Sequence, residues 1–184
     1  MTTQKDSFVV KPLIDASAIA QRVDELARAI DRDYAATTGL VMIGVLKGSV
    51  FFVTDLARRL TVPVEIDFFQ TSSYGSGTKA GEIRIKRDID LSIRDKDVLL
   101  VEDIVDTGWT LRTILDLLRF RGARSVKLCA LLDKHEAREV EVPIDYCGFR
   151  IGRRFVVGYG LDFGERFRNL PYVGVVEGVE GEEE

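Results

Sequence analysis

The chain reads as an α/β protein, with a mainly parallel central sheet flanked by helices. Three observations carry that reading. Leu40–Val45 and Val98–Val101 are short, unbroken apolar runs, as in strands covered on both faces. Apolar residues before and between such runs recur at helical spacing. The order strand, helix, strand, helix and then further strands is the rhythm of such a sheet with a small appended piece. At 184 residues the chain is expected to form one domain, 1–184, large enough to bury a proper core.

The elements follow in order. Met1–Ser7 is polar and is expected to fray. Asp15 is the expected N-cap of an amphipathic helix running to about Tyr34, with Ile19, Val23, Leu26 and Ile30 on one face. Its charges, Arg22, Asp24 and Arg28, read as a solvated face. Leu40–Val45 is a buried strand ending in Leu46-Lys47-Gly48-Ser49. A helix with Phe52, Val53, Leu56 and Leu60 apolar comes next. Val64–Gln70 is a strand after Pro63. Residues 71–81 have no apolar periodicity and are too long for a simple hairpin turn. Glu82–Lys86 resumes a strand, and Asp88–Lys96 is a charged connection. Val98–Val101 should end at Glu102-Asp103. A helix then shows Leu111, Ile114, Leu115 and Leu118 at helical spacing, and Arg121-Gly122 closes it. Val126–Leu132, Phe155–Tyr159 and Tyr172–Val176 are the remaining strands, with Tyr146–Ile151 short and mixed between them. Residues 177–184 are Gly and Glu apart from Val179 and are expected to be a disordered acidic tail.

Composition narrows the function classes. The net charge of −4 makes nucleic acid a poor default partner, so an anionic substrate must be met by local donors. Cys129 and Cys147 lie in apolar contexts without metal spacing and read as small core residues of a reducing compartment. With no signal peptide and no bilayer-spanning run, a cytoplasmic protein without membrane contact is expected. His135 is the only histidine, which excludes sites built on several; it reads as a surface residue near a site at most.

The junction from Val98 to Leu111 points to chemistry. A turn opening onto a helix N-terminus presents free N–H donors and the positive end of a dipole, a ready anion site. Asp106, Thr107 and Thr110 can cap or donate, and Gly108 lets the backbone approach closely. Glu102 and Asp103 stand beside that site. Two like charges about 4 Å apart at an effective dielectric near 20 repel by about 4 kcal/mol. Something must therefore separate these acids from a bound phosphate. Sugar hydroxyls or a hydrated Mg²⁺ would serve, and together they point to a ribose-phosphate substrate. A capped turn with no ligand is the plain alternative. A phosphoacceptor receiver domain also carries paired acids at a strand end, but near the chain start and without this turn.

Val-Glu-Asp-Ile-Val-Asp-Thr-Gly-x-Thr-Leu, as it stands at 101–111, resembles the phosphoribosyl-pyrophosphate signature of type I phosphoribosyltransferases. Its detail is most similar to the hypoxanthine-guanine branch of that family. The resemblance extends over about Leu40–Leu170. It implies the type I fold with a small hood built from parts of 1–15 and about 135–176, a homodimer or homotetramer, and a role in purine salvage. The implied reaction moves the 5-phosphoribosyl group from 5-phosphoribosyl 1-pyrophosphate to hypoxanthine or guanine and releases pyrophosphate. The same resemblance assigns residues. Asp106, Thr107, Gly108, Trp109 and Thr110 would grip the 5′-phosphate, with Asp106 also the candidate general base. Glu102 and Asp103 would hold the ribose hydroxyls and water-bridged magnesium, with Asp162 helping to hold magnesium-pyrophosphate. Lys47 and Gly48, after an implied cis peptide, would bind pyrophosphate with Arg168, though Arg166 stands close by. Ser73 and Tyr74 would belong to a catalytic lid. Lys134 would contact the purine: an ammonium has donors only, which suits a 6-oxo group and clashes with a 6-amino group. Phe155 would stack on the base and Val156 would read its edge. Trp109 departs from the pattern, whose variable position favours a small, polar or basic residue. A ribose-phosphate-binding transcriptional regulator of the same fold is the alternative from another class, and a pyrimidine or adenine transferase the alternative within the enzymes.

Overall fold

The computed structural model describes residues 9–73 and 83–177. A six-stranded sheet carries the molecule. Its strands are β2 (Leu40–Leu46), β3 (Val64–Ser73), β4 (Ile83–Arg87), β5 (Asp97–Val105), β6 (Ser125–Asp133) and β7 (Tyr146–Arg150), in the spatial order β4-β3-β2-β5-β6-β7. All neighbours are parallel except β3 and β4, which run antiparallel at one edge. The expected α/β class and parallel sheet are therefore present.

β2 and β5 sit at the centre and are buried on both faces, which is why they are apolar without alternation. One layer, containing Leu99 and Val101, packs on α1 (Ala16–Asp33) and α2 (Val50–Ala57). The other, containing Val98 and Leu100, packs on α3 (Trp109–Phe120). α1 starts where Asp15 accepts from the Ala18 N–H at 2.8 Å and ends at Tyr34, burying Ile19, Val23, Leu26, Ala27 and Ile30. α3 ends at Arg121, followed by Gly122 at φ +84°.

A second, antiparallel sheet joins both ends of the described chain. β1 (Val9–Ile14) pairs with β9 (Val173–Glu177), which pairs with β8 (Val156–Val157). Tyr146–Arg150 falls inside the range expected of the hood but lies in the large sheet, where Cys129 of β6 faces Tyr146.

Four expectations are corrected. β5 does not stop at the acids; its pairing with β6 continues to Val105 opposite Asp133, so Glu102 and Asp103 are strand residues. The strand expected over Phe155–Tyr159 shrinks to Val156–Val157, because Gly158 and Tyr159 adopt φ +94° and +49° and turn the chain into a bridge between Gly158 and Leu161. The helix expected after Ser49 ends at Ala57, short of Leu60. The charges of α1 are not simply solvated. Arg22 donates to the Cys147 and Gly148 carbonyls of edge strand β7, at 2.7 and 2.9 Å, and Asp24 pairs with Arg59. Of the expected tail, Glu177 is the last residue of β9; the rest of the tail and the frayed N-terminus, like most of the 71–81 segment, lie outside the described residues. Among the described residues no helix is long and apolar enough to cross a membrane.

Candidate active site

The site collects at the carboxyl ends of β2, β5 and β6, where ligands of open α/β sheets bind. β5 delivers Glu102 and Asp103, and the turn after it delivers Asp106, Thr107 and Gly108. β2 delivers Lys47 and Gly48, and β6 delivers Lys134.

Gly108 is the N-terminal flank of α3, at φ +96°, a backbone conformation suited to glycine. A Cβ there would also meet the Val140 carbonyl oxygen at 2.5 Å. The N-cap, Gly108, has no side chain to cap this helix, and among the described residues Asp106, Thr107 and Thr110 make no capping hydrogen bond to its first turn, contrary to one expected role for them. The first N–H groups of α3 precede the Arg112 N–H, which donates to Gly108, and have no acceptor within the helix. The turn is backed from outside. The Thr107 carbonyl accepts from the Glu139 and Val140 N–H groups, each at 3.0 Å. Trp109 is 42% exposed, and its Nε1–H donates to Glu139 Oε2 at 2.9 Å.

Glu102 and Asp103 are held in an unusual state. Glu102 Oε2 is buried and has no hydrogen-bond partner among the described residues. Burial, then the Asp103 charge, pushes the Glu102 carboxyl well above its ordinary range. Burial likewise raises Asp103 to about 6, against the Ile104 N–H that donates to it at 3.0 Å. Gly48 packs directly on this acid: a Cβ there would fall on Asp103 Oδ2. The Gly160 Cα packs in turn on the Gly48 carbonyl. The peptide bond from Leu46 to Lys47 is cis, as the resemblance implied.

Lys134 Nζ lies 3.8 Å from Asp106 Oδ2. The lysine side chain is mostly buried while the aspartate is half exposed, and the Lys134 N–H donates to the Val105 carbonyl at 3.0 Å. The two residues expected to handle the purine thus stand side by side. His135 is exposed on the single 3₁₀ turn His135–Ala137 that follows.

The third group of residues comes from the loop after β8. Arg168 donates to the Gly160 carbonyl at 2.7 Å and pairs with Asp162 at 2.7 Å. Arg166 is exposed and contributes its backbone to a bridge with Phe163. Phe155 is 36% exposed and meets Phe163 edge to face, with centroids 5.5 Å apart. Val156 is buried in β8. Ser73 closes β3 opposite Ile83, and Tyr74 lies outside the described residues.

The phosphoribosyl transferase domain model matches residues 10–164. The chain belongs to the phosphoribosyltransferase family. Among curated relatives, the hypoxanthine phosphoribosyltransferase of Salmonella typhimurium is 46% identical over 169 residues, covering 91% of this chain and 95% of that protein. The hypoxanthine-guanine phosphoribosyltransferase of Bacillus subtilis is 43% identical over 170 residues, covering 92% and 94%. The chain also matches the bifunctional protein TilS/HprT of Listeria monocytogenes at 46% identity over 170 residues, where it covers 92% of itself but spans about a quarter, 26%, of that protein. A crystal structure of a Bacillus anthracis hypoxanthine-guanine phosphoribosyltransferase with a HEPES molecule in the active site superposes with a TM-score of 0.88 at 42% identity, covering 91% of this chain and 99% of that one.

In this phosphoribosyltransferase the three expected metal carboxylates do not form a cage. Asp162 is engaged by Arg168 and by the Glu165 N–H, at 2.7 and 2.8 Å. Among the described residues no cluster of three or more His, Cys, Asp or Glu could hold an ion by itself. The buried, unpartnered Glu102 Oε2 beside Asp103 does fit an ion that brings its own water and substrate ligands, which is the habit of magnesium. Sequence reasoning missed Glu165, whose Oε2 accepts from Lys47 Nζ at 2.9 Å. The only cue was its place three residues after Asp162 and three before Arg168.

Proposed function

We propose that this chain transfers the 5-phosphoribosyl group of 5-phosphoribosyl 1-pyrophosphate to a 6-oxopurine, hypoxanthine or guanine, and releases pyrophosphate. The observation that carries the reading is the pairing of two desolvated acids with an uncapped helix start immediately after them. The acids suit sugar hydroxyls, and the helix start suits the phosphate of the same sugar.

The residue roles follow. The turn Asp106–Thr110 binds the 5′-phosphate through backbone N–H groups, so Trp109 contributes its amide and leaves its indole at the rim. Glu102 and Asp103 accept hydrogen bonds from the ribose hydroxyls. These acids are also the residues that would hold Mg²⁺, with Asp162 helping to hold magnesium-pyrophosphate. Bound there with substrate oxygens, magnesium would supply charge neutralisation for the departing pyrophosphate. Lys47, the Gly48 backbone and Arg168 stabilise the same group, which gains charge as the glycosidic bond to it breaks. Lys134 donates to the purine 6-oxo group and discriminates against adenine. Asp106 is the candidate base for the N7 proton, and its position 3.8 Å from that lysine supports the assignment. Phe155 stacks on the base, and the backbone at Val156 reads its edge. Ser73 and Tyr74 are assigned to the lid that keeps water from the activated anomeric carbon.

The test is pyrophosphate release from 5-phosphoribosyl 1-pyrophosphate with hypoxanthine, guanine, xanthine or adenine, each with and without magnesium. Release is expected with hypoxanthine or guanine, dependent on magnesium, and not with adenine. Release with adenine alone would reassign Lys134. No release with any base, beside a gel shift with duplex DNA, would replace the enzyme by the regulator.

A further inference from the structure

Two cations are set against pyrophosphate in the reading above, and one atom already holds both. Glu165 Oε2 accepts from Lys47 Nζ at 2.9 Å and lies 3.3 Å from Arg168 Nη2. Lys47 and Glu165 are 118 positions apart in sequence, so this oxygen bridges the turn after β2 to the loop after β8.

The backbone brings the carboxylate there. Glu165 has φ +64°, directly after Gly164 at +58°, and its N–H donates to Asp162 Oδ2 at 2.8 Å. The left-handed region is uncommon for a residue with a side chain. Paired with the Lys47 ammonium and the Arg168 guanidinium, the Glu165 carboxylate is an anion at neutral pH, as an ordinary glutamate is. A carboxylate oxygen that accepts from an ammonium and a guanidinium at once presents what one terminal phosphoryl oxygen would present. The Glu165 side chain is also 65% exposed, so it can swing into water when another anion takes its place.

We propose that Glu165 is an internal counter-anion: it occupies the pyrophosphate subsite, is displaced by the diphosphate of the incoming substrate, and returns as pyrophosphate leaves. The proposal rests on the assignment of Lys47 and Arg168 to that subsite. Its physical sense lies in turnover. Two cations aimed at a highly charged product would hold it too long, and product release limits many enzymes. A tethered competitor weakens the ground-state grip. It also keeps Lys47 and Arg168 together when no ligand is bound.

The experiment is calorimetric titration of inorganic pyrophosphate, without metal at low salt, into wild type, Glu165→Gln and Glu165→Asp, followed by steady-state kinetics. Exposed ion pairs of this kind are individually weak, so losing both contacts should tighten pyrophosphate binding about two- to thirty-fold in Glu165→Gln. The KM for 5-phosphoribosyl 1-pyrophosphate should fall with it, and pyrophosphate should inhibit at lower concentration. Glu165→Asp, one methylene shorter, should shift in the same direction by less. A structural role for Glu165 would weaken binding on substitution and cannot tighten it. Unchanged or weaker binding in Glu165→Gln, with wild type binding normally, overturns the counter-anion and leaves the subsite standing. Absence of pyrophosphate binding to all three proteins overturns both.

Discussion

Gly48 shows how tightly single residues are specified at this site. Its Cα rests against Asp103, and any Cβ would fall on the Asp103 carboxylate. Gly48→Ala should therefore displace Asp103 or the Lys47 turn. A misplacement of about 1 Å in a positioning group costs about 10²-fold in rate. That loss in kcat/KM, with a wild-type circular dichroism spectrum, is the expected result. Asp106 makes a different prediction. Replacing it by Asn keeps the shape of the turn and removes the proton acceptor beside Lys134. We expect kcat to drop by about 10²–10⁴-fold while ribose-phosphate binding stays near wild type. Rapid-quench and equilibrium-binding measurements separate the two quantities. A kcat equal to wild type would leave Asp106 with an electrostatic role only. The acids, the lysines and the turn glycine were readable in the sequence because each lies in or close after the last residues of a buried strand. Glu165 was not. Its partner is remote in sequence, and left-handed backbone in an irregular loop decides where it points.

Among the elements, the step from β5 into α3 carries the most information. The 138–142 segment fastens to the outside of this turn through Thr107 and Trp109. Trp109 is the only tryptophan in the chain, so its emission reports on this one place. Saturating purine ribonucleotide should change that emission, and Trp109→Phe should abolish the signal while leaving kcat near that of wild type. An unresponsive indole would mean that the nucleotide binds away from the start of α3. The elements themselves were legible to different degrees. β2 and β5 announced themselves as apolar runs, and α1 announced its start at Asp15. β5 was read too short because acids inside a strand look like its end; pairing with β6 carries them. Arg22 was read as solvated because its acceptors are backbone carbonyls of an edge strand, which have no side-chain signature. β8 was read too long because the positive φ at Tyr159 has no cue in a residue with a bulky side chain.

At the scale of the molecule, the end of the sheet away from the site is held by charge. Asp97 is buried and accepts from Arg124, from Ser125 Oγ at 2.7 Å and from Thr37 Oγ1 at 2.9 Å. The Arg124 guanidinium holds this carboxyl far below its ordinary value of 3.8. A depressed carboxylate adds stability that is complete above the unfolded value and is lost as pH falls below it. Asp97→Asn should therefore cost about 1.5–3 kcal/mol at neutral pH, the range for hydrogen bonds to charged groups. The deficit should narrow as the pH falls below about 4. Urea unfolding at about pH 7 and pH 3 checks both magnitude and sign. A deficit that stays constant would mean that Asp97 acts by shape and not by charge.

The small sheet has a consequence for biosynthesis. Val9 is paired with Glu177, so β1 emerges before the other described strands and must wait for β9, which follows all of them. At roughly 5–20 residues per second, β1 waits on the order of ten seconds with its ladder partners not yet made. The nascent polypeptide can meanwhile close β2 on β3 and β5 on β6, while the lobe holding Val156 can mature only once β9 has emerged. Nascent chains stalled just before β9 should thus protect the central strands from protease and leave Val9–Ile14 open to cleavage.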